Sequence, residues 1–166
     1  MTSQARRIAL GGMLAALATV MMTLGGSLGI ATYVVPMLSM MLLRIVGNLC
    51  GRRIAWAWYG AVSLLGLLLC PDKEAAAVFA ALGYYPIVKP SLDQKKLPWL
   101  WKGLFFNVTI VVLYWILLNL LGIRELVAEF ETMGKWLTVA LILMGNLVFF
   151  LLDRVLGRPI GRRGGR

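Results

Sequence analysis

The chain has 166 residues, 60% of them hydrophobic and 14% charged, with a mean hydropathy of +0.83 and a net charge of +10. A soluble domain carries roughly 25% charged residues, so this composition excludes an ordinary water-soluble globule and points to a one-domain integral membrane protein. The positive charge does not indicate nucleic acid, because lysine and arginine gather at the ends of apolar segments and form no single face.

The first apolar segment follows Arg6 and Arg7 and reads IALGGMLAALATVMMTLGGSLG. A helix rises about 1.5 Å per residue and about 20 apolar residues cross a hydrocarbon core, so a span is predicted over 8–28. The run is longer than a signal-peptide core and no A-x-A site follows it, which predicts an uncleaved helix. Stepped at about 100° per residue, its two faces differ in size. Gly11, Gly12, Ala15, Ala16, Ala18, Thr19 and Thr23 fall on one side; Leu10, Met13, Leu14, Leu17, Val20, Met21 and Leu24 fall on the other. Small residues let helix backbones approach closely in lipid. The ridge is therefore either packing against this chain's own helices or a docking face for another subunit.

A short uncharged loop, Gly25 to Thr32, leads to a second span over 33–50, with Pro36 near its start and Arg44 in its final third. Gly51-Arg52-Arg53 makes a basic turn, and a third span over 54–70 opens with Trp56, Trp58 and Tyr59 at interfacial depth. The fourth segment, 73–89, is weaker. Asp72 is its predicted N-cap, Glu74 favours the helix dipole, and Pro86 and Pro90 are expected to break it at the far end. Gly83 to Pro90 reads as a rigid corner anchored at the interface. A polar stretch from Pro90 to Pro98 precedes a fifth span over 99–121, a loop with Arg124, Glu125, Glu129 and Glu131, a sixth span over 133–156, and a basic tail over 157–166 that reads as disordered.

Charge decides whether the fourth segment crosses. If it does, Arg6, Arg7, Arg44, Arg52, Arg53, Lys89, Lys95, Lys96, Lys102, Arg154, Arg158, Arg162, Arg163 and Arg166 share one side, leaving Lys73, Arg124 and Lys135 on the other. Basic residues concentrate on the cytoplasmic side. The expected fold is an all-α integral membrane protein with six transmembrane helices and both termini cytoplasmic. Cys50 and Cys70 then lie on opposite sides of the bilayer and cannot form a disulfide. With no histidine and no cysteine pair at metal spacing, neither a metal site nor a cofactor is expected.

Within the spans, Arg44 and Asp153 either pair or reach separately to the interface. Asn107 and Asn146, at similar depth, either bond each other or line a ligand cavity. No nucleotide loop, dinucleotide fingerprint or nucleophile–base set is present, so the chain reads as no enzyme, and any pumping must draw on a partner or a gradient.

The opening RRIALGGMLAALATVM, the six short spans and the small-residue ridge resemble the substrate-binding S component of energy-coupling factor (ECF) transporters. That resemblance implies a six-helix bundle in the cytoplasmic membrane that captures a vitamin-like small molecule or a metal ion. It also implies a transmembrane T subunit and ATP-binding-cassette ATPases as partners. Docking to the T subunit would use Gly11, Gly12, Ala15, Ala16 and Thr19, although the family's usual pair of alanines four apart is here glycine and alanine. No substrate-defining motif of the riboflavin, thiamine, biotin, folate or cobalt branches is present. A pocket loading from outside would draw on Thr32, Tyr33, Lys73, Glu74, Tyr114, Trp115 and Asn119, with Asn107 and Asn146 deeper. Five acids against three bases on that side favour a neutral or cationic cargo. The rival reading is a non-transporting membrane scaffold or assembly factor.

Overall fold

The computed structural model of the chain describes residues 3–27, 32–119 and 135–157. The first loop from 28 to 31, the acidic loop with Arg124, Glu125, Glu129 and Glu131, and the basic tail from 158 onward lie outside these residues. Among the described residues every regular element is a helix: α1 (Ser3–Ser27), α2 (Val34–Cys50), α3 (Arg52–Leu69), α4 (Lys73–Leu82), α5 (Tyr85–Asp93), α6 (Pro98–Asn119) and α7 (Lys135–Gly157). Three stretches, Gln4–Gly25, Pro98–Leu117 and Trp136–Gly157, are long and apolar enough to cross a membrane, and Val34–Cys50 is a shorter apolar helix. The described residues form two compact units, 3–94 and 95–157.

In the first unit α1 and α3 run side by side in the same direction, as their contacts show. Cys50 Sγ donates to the Arg7 carbonyl at 3.2 Å, just before α3 begins, and Cys70 Sγ donates to the Met22 carbonyl at 3.1 Å, just after it ends. Between them a methyl added at Gly11 would meet Ile54 Cγ2 at 3.5 Å, and one added at Gly66 would meet Met22 Cε at 3.1 Å. Met22 and Ala18 are fully buried in this seam. The two cysteines are free and sit roughly 22 Å apart along α1, judged by the helical rise from Arg7 to Met22, so a disulfide between them is out of reach.

The turn between α2 and α3 is a single residue. Gly51 (φ 93°) caps both helices, donating to the Gly47 carbonyl at 3.2 Å and accepting from the Ala55 N–H at 3.0 Å. A side chain rarely adopts that left-handed φ, which is why glycine stands here. α3 stops at Cys70 because Pro71 forces the preceding residue into extended backbone, φ −71° and ψ 128°.

The predicted fourth span is two short helices. Asp72 is the N-cap of α4, as the sequence indicates, and accepts from Ala75 N–H at 3.0 Å. Residues 75–79 of α4 are all buried, and α1, α2 and α3 pack on it. The helical run breaks at Gly83 and Tyr84, not at the prolines. Pro86 sits in the first turn of α5, where its missing N–H costs nothing, and Pro90 lies inside α5, which continues to Asp93. The Gly83 to Pro90 corner is also less interfacial than its composition implies. Tyr85 is fully buried, and Lys89 is 5% exposed with its ammonium 3.6 Å from Asp93.

Aromatic rings join α3 to the α4–α5 junction. Trp58, expected at the interface, is 4% exposed and meets Phe79 edge-on at 6.4 Å. Tyr59 donates to the Ala80 carbonyl and touches the rings of Phe79 and Tyr84, while Trp56 stacks on Tyr84 at 6.2 Å. Of these rings Trp58 and Phe79 are buried, Tyr59 and Tyr84 are half-buried and Trp56 is exposed, so within the predicted aromatic trio it is Trp58 that packs inward.

The second unit is an antiparallel pair, α6 against α7. The Phe106 and Phe149 rings stack at 4.6 Å, flanked by a charged pair toward the helix ends and an amide pair deeper in. Pro98 opens α6 in the position helices favour for proline.

Candidate functional site

Polar side chains converge where the start of α2 meets the start of α4. Thr32 Oγ1 donates to Asp72 Oδ2 at 2.7 Å, and Tyr33 Oη donates to Glu74 Oε1 at 2.7 Å. Local sequence fixes the positions. Pro71 and the Asp72 cap start α4 at Lys73, and Thr32-Tyr33 is the turn from which α2 departs. Lys73 does not join its neighbours but reaches the Leu67 carbonyl at 3.0 Å, at the electronegative C-terminus of α3. Two carboxylates therefore face two hydroxyls, and the local cation is engaged elsewhere.

This arrangement can bind a ligand that donates hydrogen bonds. Each carboxylate has more lone pairs than one hydroxyl satisfies, Tyr33 is half-exposed, and Asp72 and Glu74 are intermediate in burial. An amine, amide or polyol could replace the hydroxyl donors without leaving either carboxylate bare. Among the described residues no group of three or more histidine, cysteine, aspartate or glutamate side chains comes together, so nothing there builds a multi-carboxylate metal cage.

Of the expected binding residues, Thr32, Tyr33 and Glu74 meet in this corner, and Lys73 stands beside it. Asp72 belongs to the site as well. Reading it only as a cap used up one of its oxygens, whereas Oδ1 caps α4 and Oδ2 takes Thr32. Asn107 and Asn146 bond each other in both directions, at 2.8 and 3.1 Å, and each also donates to the carbonyl four residues back. Both amides are thus occupied within the α6–α7 pair. Tyr114, Trp115 and Asn119 are on α6, in the second unit; Asn119 is exposed and donates to the Trp115 carbonyl at 3.0 Å.

The small face of α1 is divided. Gly11 is buried on Ile54 of α3, Thr19 is 8% exposed and donates to the Ala15 carbonyl, and Ala15 is half-buried. Gly12 and Ala16 are exposed, and a methyl at Gly12 would have nothing within 4 Å.

Asp153 has a partner the sequence did not single out. Lys102 Nζ lies 2.9 Å from Asp153 Oδ2, with the two side chains 8% and 14% exposed. Arg44 is half-buried in α2 of the first unit.

The chain matches no family model, no curated protein and no solved structure. What its fold defines is a helical protein with, among the described residues, three helices long and apolar enough for a membrane.

Proposed function

We propose that this protein is the substrate-capture component of an ECF-type importer in the cytoplasmic membrane, working with a T subunit and ATP-binding-cassette ATPases. In this reading it has six spans, both termini cytoplasmic, and α4 with α5 as the fourth crossing. At the helical rise α4 would cover roughly 15 Å and α5 roughly 13 Å, so the two together would be needed for a crossing. One observation carries the reading: the Thr32, Tyr33, Asp72 and Glu74 corner, a partly open cluster of acceptors and hydroxyls at the end of the first unit away from Arg6, Arg7, Arg52 and Arg53. An importer loads from that side, and two carboxylates whose neighbour Lys73 turns to the Leu67 carbonyl suit a neutral or cationic, hydrogen-bond-donating cargo. Exposed Gly12 and Ala16 are the part of the small face left for the T subunit.

The experiment is purification of tagged full-length protein from its own membranes under mild detergent. The reading requires a transmembrane subunit and two ATPases in stoichiometric yield, and a small molecule whose binding is weakened at least about tenfold by Glu74→Ala. Recovery of an unrelated complex, with no ATPase and no bound small molecule, would replace it with the scaffold reading. Topology is checked separately. Single cysteines at Ser3 and Gln94 should be shielded from an impermeant thiol reagent in intact cells while one at Glu129 reacts, and labelling at Gln94 would remove the fourth crossing.

A further inference from the structure

At the opposite end of the first unit from the polar corner, the chain gathers four arginines. Arg6 and Arg7 open α1, Arg52 and Arg53 open α3, and the Cys50 to Arg7 hydrogen bond ties the two openings together. All four are exposed, and among the described residues none is in an ion pair. Neither α1 nor α3 has an acidic residue in its first turn.

Placed this way, the charges work against the helices that carry them. A helix N-terminus bears positive partial charge and favours anions, so arginine there is disfavoured. Two parallel helices here bring that partial charge, and four full charges, to one end. α3 also begins without a side-chain cap, since Gly51 has none to offer. The four guanidinium groups are open to an anion.

The surroundings say which anion. Ile8 (58% exposed), Leu49 (54%) and Trp56 (41%) are the large apolar side chains beside the arginines. A free phosphate has no use for them, whereas a lipid offers a phosphate to the guanidinium groups and acyl chains to the apolar rim. Arginine binds phosphate through its planar fork. We propose that the Arg6, Arg7, Arg52 and Arg53 cluster is a binding surface for the headgroups of anionic phospholipids. This rests on the membrane character of the chain and not on its being an importer.

The test uses the full-length protein in nanodiscs of phosphatidylcholine alone or with added phosphatidylglycerol. Lipids retained after mild detergent extraction are counted by mass spectrometry, and Tm is read in parallel. Wild type should retain phosphatidylglycerol over phosphatidylcholine and gain Tm with it. A juxtamembrane basic residue strengthens anionic-lipid binding about fivefold, so Arg6→Gln with Arg7→Gln, or Arg52→Gln with Arg53→Gln, should cut the preference by at least roughly tenfold. The control, Lys73→Gln at the other end of the first unit, where Asp72 and Glu74 repel an anionic headgroup, should leave it within about twofold. The proposal is overturned if the arginine variants keep the preference, if the lysine variant removes it equally, or if inorganic phosphate raises Tm as much as the lipid does. Should a variant misfold, wild type decides: the preference must fall as sodium chloride rises, and a salt-independent preference overturns it.

Discussion

The Lys102–Asp153 pair is the most exposed to quantitative test. Its charged atoms are 2.9 Å apart and its side chains 8% and 14% exposed, so nearly all of both the desolvation cost and the mutual attraction is expressed. A pair on an open surface is worth about 0–1 kcal/mol. Removing one member of a buried pair strands the other charge and costs about 3–5 kcal/mol, whereas replacing both with apolar residues of similar size is near neutral. Lys102→Met and Asp153→Leu should therefore each destabilise by about 3 kcal/mol or more, and the double variant should cost less than either alone. The free energies are read by titrating a denaturing detergent into mixed micelles and following helicity. The double-mutant cycle isolates the coupling, expected on the order of 2–3 kcal/mol. A coupling under about 0.5 kcal/mol would mean that solvent screens the pair and that the buried geometry is wrong.

One turn deeper, the reciprocal Asn107–Asn146 amides should be worth less: Asn107→Leu is expected to cost about 0.6–1.7 kcal/mol in the same titration. Gly83→Ala should destabilise by about 1–3 kcal/mol, because the added methyl overlaps the Phe79 carbonyl oxygen and comes within 2.9 Å of Phe79 Cε2; an unchanged midpoint would remove the tight break between α4 and α5. Gly11→Leu should lower Tm by loosening α1 from Ile54 of α3, whereas Gly12→Leu, which meets open space, should leave Tm alone and reduce only co-purification of a partner. Asp72→Ala should cost about 1 kcal/mol through the lost cap, and Asp72→Asn should restore most of the stability while weakening ligand binding, measured side by side by thermal melts and equilibrium binding.

The apolar segments were legible because length and hydropathy act residue by residue. α2 and α3 begin and end within two positions of the expected segments, and α6 begins within one. The Asp72 cap was legible for the same reason, being a contact three residues away. What composition could not give was which side of a residue faces what. Trp58 reads as an interfacial anchor until Phe79 is known to stand opposite it. Gly11 and Gly12 are equivalent in sequence, yet one is covered by α3 and the other open. Asp153 was weighed against Arg44, although Lys102 also lay at the inner edge of a neighbouring span; the preference for the deeper charge hid the nearer partner. The prolines misled because their penalty depends on position: Pro86 starts a helix instead of ending one. Thr32, Tyr33 and Glu74 are named from the sequence only by an expected side of the bilayer, and the hydrogen bonds that join Thr32 to Asp72 and Tyr33 to Glu74 span 40 and 41 residues.

The burial of the middle of α4 bears on how the protein is made. A segment that enters the bilayer by itself must be apolar enough to leave the translocation machinery for lipid. α4 is ten residues long and rich in alanine, and its middle, 75–79, is buried once folded. Its final neighbours are other helices, so its own hydropathy need not favour lipid at all. In the proposed six-span arrangement, α4 would have to wait at the machinery until α1, α2 and α3 have assembled a place for it, which would make biogenesis sequential at this point. A destabilised α1–α3 seam would then act on the ribosome-bound chain as well as on the finished bundle, leaving Pro71 to Gln94 uninserted.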